Sequence, residues 1–131
     1  MAENKLEVHV VTPERELWSG EADMVVAKTV EGQLGVLPGH APLLGLLDIG
    51  PLTVVNGGNK ERAVVDGGFL HVQGDRVIVL AEHAEMESEI DTEAARSRRE
   101  ELEHRVREGD AEARADLHKA VARLDLTDSS G

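Results

Sequence analysis

The sequence predicts a mostly β N-terminal sandwich or flattened barrel followed by a C-terminal antiparallel two-helix hairpin. Three observations carry that prediction. Apolar residues alternate with period two in short runs up to about Glu82, Gly, Pro and Asn punctuate the runs, and after Glu89 the period becomes that of a helix. Many short strands joined by regular turns favour packed or closed antiparallel sheets over a βαβ fold.

In the first run, Leu6, Val8 and Val10 alternate with Glu7, His9 and Val11. Further strands are expected at Glu16 to Ser19, Ala22 to Thr29, Gly35 to Leu37, Leu43 to Leu47, Leu52 to Asn56, Arg62 to Val65 and Gly68 to Gln73. Asn56-Gly-Gly-Asn59 and Gly74-Asp75 separate neighbours at hairpin spacing. In the last run Arg76, Ile78 and Leu80 alternate with Val77, Val79 and Ala81, so it is apolar on both faces and expected at the centre of the sheet.

The segment Glu31-Gly-Gln-Leu-Gly-Val-Leu-Pro-Gly-His-Ala-Pro-Leu-Leu44 combines backbone freedom at its glycines with fixed φ and missing donors at Pro38 and Pro42. It reads as one shaped, presenting loop with His40 near its tip. Asp66, before Gly67 and Gly68, reads as a turn former rather than a catalytic acid.

Beyond Glu89, Asp91 is placed to cap a helix whose apolar positions are Ala94, Ala95, Leu102 and Val106, running to Gly109. Asp110 then caps a second, with Ala113, Leu117, Ala120, Val121 and Leu124 as its stripe. Glu101 to Arg105 and Glu103 to Arg107 have the favourable i,i+4 order. Because the stripes are mostly alanine, docking of the hairpin should be weak. The expected division is a β domain over residues 1–87, a hairpin over 88–126 and a disordered tail over 127–131.

Composition narrows the partners. The chain has 131 residues and a formal net charge of -12, which disfavours nucleic acid and anionic lipid. It has no cysteine, so disulfides and thiolate sites are excluded. Neither a signal-peptide pattern at Met1 to Lys5 nor a run of roughly 20 apolar residues is present, so any membrane association is expected to go through a partner. Trp18 and Phe69 are the only aromatic residues, too few for a stacking platform.

No catalytic constellation emerges. His9, His40, His71, His83, His104 and His118 form no metal-ligand spacing, and His83 with Glu85 at a strand end reads as surface. The glycines at 32, 35 and 39 spell no phosphate loop, and Ser19, Ser88 and Ser97 lack a nucleophile context. Neither a catalytic residue, a metal nor a cofactor is therefore expected. Arg96, Arg98, Arg99, Arg105, Arg107, Arg114, Lys119 and Arg123 on the helices are diluted by Glu100, Glu101, Glu103 and Glu108, which suits an acidic protein surface better than nucleic acid.

Taken as a set, Gly32-x-Leu-Gly-Val-Leu-Pro-Gly-His-Ala-Pro-Leu43, Gly67-Gly-Phe-Leu70 and the strand-to-helix order resemble the epsilon chain of F-type ATP synthases, from about Leu6 to Leu124. The resemblance implies a noncatalytic central-stalk subunit that couples rotation of the c-ring to the catalytic head during proton-driven ATP synthesis. It implies a β domain touching the gamma chain and the polar loops of the c-ring, with Glu31, Gln33, Pro38, Gly39, His40 and Pro42 facing the ring. It also implies helices that rise toward the alpha and beta chains and restrain ATP hydrolysis, with Arg98, Arg99, Arg105, Arg107, Arg114 and Arg123 as the inhibitory contacts. The location implied is the cytoplasmic face of the cell membrane, peripherally, through the complex. Some family members bind ATP through Ile/Leu-Asp-x-x-Arg-Ala; here the stretch is Ile90-Asp-Thr-Glu-Ala-Ala95, and Ala94 in place of the arginine counts against ATP binding by the hairpin. The rival reading is a free-standing β-sandwich ligand-binding protein with a helical dimerisation tail.

Overall fold

Inward-facing Leu, Val and Ala from every strand meet in one core. The computed structural model describes residues 4–128. Its strands are β1 (Leu6–Val11), β2 (Glu16–Ala22), β3 (Met24–Thr29), β4 (Gly32–Val36), β5 (Leu43–Asn56), β6 (Asn59–Gln73) and β7 (Arg76–Met86). They form a seven-stranded sheet in the order β2-β1-β7-β6-β5-β3-β4. All neighbours are antiparallel except β1 and β7, which are parallel. The core includes Leu6, Ala22, Val25, Val36, Leu52, Leu70 and Val79, one residue from each strand, so the sheet wraps around it.

That wrapping comes from the long strands, which swap their inward side partway along. On β6, Ala63 and Val65 are buried before Gly67 and Gly68, whereas Leu70 and Val72 are buried after them. The parity of the inward positions has flipped. Gly67 (φ 71°) and Gly68 (φ 114°) adopt backbone angles that L side chains resist, and they turn the strand through a corner without breaking its ladder. β5 does the same across Asp48 to Pro51, from Leu47 buried before to Leu52 and Val54 after.

This overturns the shorter strands expected from the sequence. Leu43 to Leu47 and Leu52 to Asn56 are one strand of 14 residues, and Arg62 to Val65 and Gly68 to Gln73 belong to one of 15. The residues that resembled breaks still pair, as Gly50 does with Val65 and Pro51 with Val64. The β3 register shifts between Ala27 and Thr29, opposite this bend, so the missing donor of Pro51 falls where that ladder is interrupted. Conversely, Ala22 to Thr29 is divided at Asp23, whose carboxylate accepts from Lys5 and from Gly57 N. β7 has the predicted inner position, although Leu80 on its outer side is exposed.

A short 3-10 turn, η1 (Glu87–Glu89), leads to α1 (Thr92–Arg107) and α2 (Ala113–Asp128). Asp91 caps α1 as expected, accepting from Ala94 N at 3.1 Å. At its far end Asp110 N donates to Arg105 O and Gly109 N to Val106 O, a Schellman closure with Gly109 at φ 92°. The hairpin has a small core of Leu102, Ala113 and Ala120, joined by Val106 and Leu117. Ala94, expected on the apolar stripe, is exposed; Ala95 is the buried one. Helix α2 continues two residues past the expected boundary at 126, and residues 129–131 of the expected tail lie outside the described residues.

Candidate functional site

The segment expected to be a single loop is two turns separated by β4. Glu31 sits in the β3–β4 turn, where Glu31 N donates to Thr29 Oγ1 at 3.2 Å, and Gln33 is an exposed residue near the start of β4. Pro38, Gly39 and His40 form the turn at the other end of β4, closed by His40 N donating to Leu37 O. A strand rises about 3.3 Å per residue, so the five residues of β4 separate the two turns by roughly 16 Å. One contact surface does not collect all six expected residues by adjacency in the chain. The second turn is tied to the β6–β7 turn, since Gly39 N donates to Asp75 Oδ1 at 2.9 Å. His40 Nδ1 donates to Ala41 O at 2.6 Å, and Pro42 leads directly into β5.

A larger surface was missed by the sequence reading. Leu46, Phe69 and Leu80 are cross-strand partners on β5, β6 and β7, and Leu80 in turn faces Val11 of β1. Partners in register share a face, so these side chains form an apolar band across four strands. Leu44 and Ile78 flank it through His71. Leu44 is 66%, Leu46 51%, Phe69 46% and Leu80 48% exposed. Such a patch on a rigid sheet marks an interaction surface. The signal lay in Phe69 and Leu80 alternating with buried Leu70 and Val79, and it required knowing which strands are neighbours.

Beside the band, His9 is held between two carboxylates. Its Nε2 lies 2.7 Å from Glu7 and its Nδ1 3.0 Å from Glu16 on β2. Both nitrogens can donate only when the ring is protonated, so the hydrogen bond to Glu7, foremost, and that to Glu16 raise the His9 pKa above its ordinary value.

The hairpin meets the β domain through α2, which packs on β5 and β6, while α1 packs on α2. Two clefts flank the contact, of about 520 Å³ on the Asp66 and Glu85 side and about 430 Å³ over Ile49 and Pro51. Of the arginines expected to be inhibitory contacts, Arg98 lies within 3.8 Å of Asp116, Arg99 within 3.8 Å of Glu103, and Arg105 within 2.8 Å of Asp110. Arg105 also reaches Glu101 at 4.0 Å, whereas Glu103 pairs with Arg99 rather than with Arg107. Arg107 and Arg114 are exposed. Arg123 Nε faces Glu85 Oε1 at 2.9 Å. Below the hairpin, Arg62 reaches Glu87 and Arg15 reaches Glu89, each at 2.8 Å, fixing η1 to the β domain.

Among the described residues, no group of three or more His, Asp or Glu is disposed to hold a metal ion, and no helix is long and apolar enough to cross a membrane.

Residues 5–87 match the family described as ATP synthase, Delta/Epsilon chain, beta-sandwich domain. The ATP synthase epsilon chain of Thermobifida fusca is 52% identical over 124 residues, covering 92% of this chain and 90% of that one. That of Solibacter usitatus is 50% identical over 128 residues, covering 94% and 96%. Among solved structures, a chain of the Euglena gracilis mitochondrial ATP synthase superposes with a TM-score of 0.79 at 25% identity, covering 96% of this chain and 81% of its own. A chain from the central stalk and c-ring of the Tetrahymena thermophila enzyme has the same fold, with a TM-score of 0.63 at 18% identity over 97% of this chain and 99% of its own.

Proposed function

This chain belongs to the epsilon chains of ATP synthase, and we propose that it is a noncatalytic central-stalk subunit which couples c-ring rotation to the catalytic head and restrains ATP hydrolysis through its hairpin. The observation that carries the coupling role is the band Leu46, Phe69 and Leu80 on one continuous hydrogen-bonded sheet. Torque needs a contact that neither slips nor shears, and an apolar face on cross-linked strands supplies grip on a stiff base. The gamma chain is the partner proposed for this face.

The two turns divide the remaining contacts. Pro38, Gly39, His40 and Pro42 lead into Leu43 and Leu44, so their turn adjoins the band and extends the gamma-facing surface. Glu31 and Gln33, with the exposed Val30, occupy the opposite end of β4 and are the residues proposed for the polar loops of the c-ring. Membrane association is then peripheral, at the cytoplasmic face of the cell membrane, through the ring. No cofactor enters this reading: Ala94, at the motif's arginine position, is a short exposed side chain at the start of α1.

Braking is proposed because α2 is attached by a cleft-flanked contact, so the hairpin can leave when a partner binds the released form better. The alpha and beta chains are the proposed partners of that form. The rival free-standing ligand-binding protein is set aside, since the relatives are named as chains of an assembly.

The test is ATP hydrolysis by the epsilon-depleted catalytic head, with the full chain or a truncation ending at Ile90 added back. That truncation keeps the Arg62–Glu87 and Arg15–Glu89 pairs. Inhibition by the full chain alone, with both forms bound, supports the brake; equal rates with both bound leave coupling as the sole role.

A further inference from the structure

Two cations of α2 and two acids of the β domain form a clasp. Lys119 and Arg123 are one turn apart on the same helix face. Lys119 Nζ lies 2.8 Å from Asp66 Oδ2 on β6, and Arg123 Nε lies 2.9 Å from Glu85 Oε1 on β7. Asp66 stands immediately before the Gly67-Gly68 corner, so it projects outward where the sheet turns. The Glu85 oxygen is buried and has no partner in hydrogen-bond geometry, which leaves it dependent on the charge of Arg123. Around these four groups is the cleft of about 520 Å³, so charge holds the helix where close packing does not.

Three arginines of the hairpin behave differently. Arg98, Arg99 and Arg105 pair with Asp116, Glu103 and Asp110, all within the hairpin, and those pairs persist wherever the hairpin goes. Lys119, which also lies 3.9 Å from Asp116 on its own helix, and Arg123 reach across to the β domain, so both give up those β-domain partners on release. Lys119 Nζ donates to the Asp66 carboxylate, and that hydrogen bond raises the Lys119 pKa above its ordinary value.

Building on the reading that the hairpin is released to an acidic protein surface, we propose that Asp66 and Glu85 are an internal competitor for that surface, occupying Lys119 and Arg123 in the docked state and so setting how readily the hairpin is given up. The acids and the cations then have opposite effects on partner binding. Neutralising the acids frees the hairpin with its cations intact. Neutralising the cations frees it with less to offer. A clasp that served docking alone would make the two changes equivalent.

The experiment compares Asp66→Asn/Glu85→Gln with Lys119→Gln/Arg123→Gln in the full chain, with Glu21→Gln/Glu61→Gln as a control for net charge on exposed residues of the β domain. Amide hydrogen exchange of α2 reads release, and titration with a poly-glutamate peptide at low salt reads the offered cations. Both clasp variants should exchange faster than the native chain. The acid variant should bind the peptide about fivefold more tightly and the cation variant about fivefold more weakly. Unchanged exchange in the acid variant overturns the proposal, as does an equal gain in affinity in the control. Inhibition of the epsilon-depleted head, run in parallel, separates the two ideas: if peptide binding responds as expected but no form inhibits, the internal competition stands and the brake falls.

Discussion

Replacing Phe69 and Leu80 by serine should weaken the proposed docking of this chain on gamma without unfolding it. Phe69 keeps 46% of its surface exposed. A phenylalanine buries about 150–250 Å² when fully covered, so roughly 90 Å² awaits a partner, worth about 2 kcal/mol at about 25 cal/mol per Å². Leu80, 48% exposed, adds about 1 kcal/mol on the same scale. Together they amount to about 3 kcal/mol, or a loss of roughly a hundredfold in affinity. In the free chain the two are cross-strand partners, and losing that contact costs only about 0.2–1 kcal/mol. The assay is calorimetric titration of the purified gamma chain with native and double-variant protein, alongside thermal melts. A melting temperature within a few degrees of native and binding weakened by less than threefold would refute the assignment of this face.

Two further predictions concern the corner and the edge of the sheet. A Cβ at Gly68 would lie 2.0 Å from Leu80 O at a φ of +114°, whereas one at Gly35 meets nothing within 4 Å. Backbone strain of about 1–3 kcal/mol and overpacking of a similar size should lower the melting temperature of Gly68→Ala by roughly 10–20 °C. Gly35→Ala should be near neutral, and equal melting temperatures would sink the argument. On β1, where it bonds across to Glu16 of the edge strand β2, His9 has a raised pKa in the folded chain, so its stabilising contribution is complete below the unfolded value of about 6.5 and is lost as pH rises through the folded value. The melting-temperature advantage of native protein over His9→Gln should therefore be larger at pH 6 than at pH 8.5. A ring pKa at or below 6.5 by NMR titration of the native chain would contradict it.

The order of strands and helices could be read from period and punctuation because each depends on local chemistry. Asp91 and Gly109 are clear instances, since caps and closures are decided by one residue and the few amides near it. Asp110, expected to cap the second helix, instead gives its carboxylate to Arg105 and Glu112 N ahead of the start of α2 at Ala113. Corners are another matter. Gly67 and Gly68 looked like a break, and only the β6–β7 ladder, which keeps its register across them, reveals that β6 passes through them and changes its inward side. The same limit hid the apolar band, whose members are far apart in sequence and adjacent only through strand register. It also made the Glu31 to Pro42 segment look like one loop. Its glycines permit a turn, but Gly32 and Gly35 instead pair in β4 with Thr29 and Val26 of β3. Cation partners were legible only within the hairpin; Lys119 to Asp66 and Arg123 to Glu85 depend on where α2 lands.

Such a landing can be reversed without dismantling either part. The sheet core draws on all seven strands, whereas the hairpin closes its own core with Leu102, Ala113 and Ala120. Neither core includes the clasp residues. If the hairpin is released as proposed, it can therefore leave as a folded unit, and the cost is set by the clasp, the covered apolar surface of α2 and whatever orders the link. Partly exposed ion pairs contribute only about 0–1 kcal/mol each and weaken with salt, so the clasp itself is a small, salt-sensitive share of that cost. The pivot is equally constrained. Arg62 and Arg15 hold Glu87 and Glu89 on the β domain, and Asp91 already caps α1, which leaves Ile90, extended at φ -75° and ψ 123°, as the residue between two fixed points. Rotation there would swing the hairpin while η1 and the apolar band stay in place, so the proposed regulation would not loosen the part proposed to carry torque.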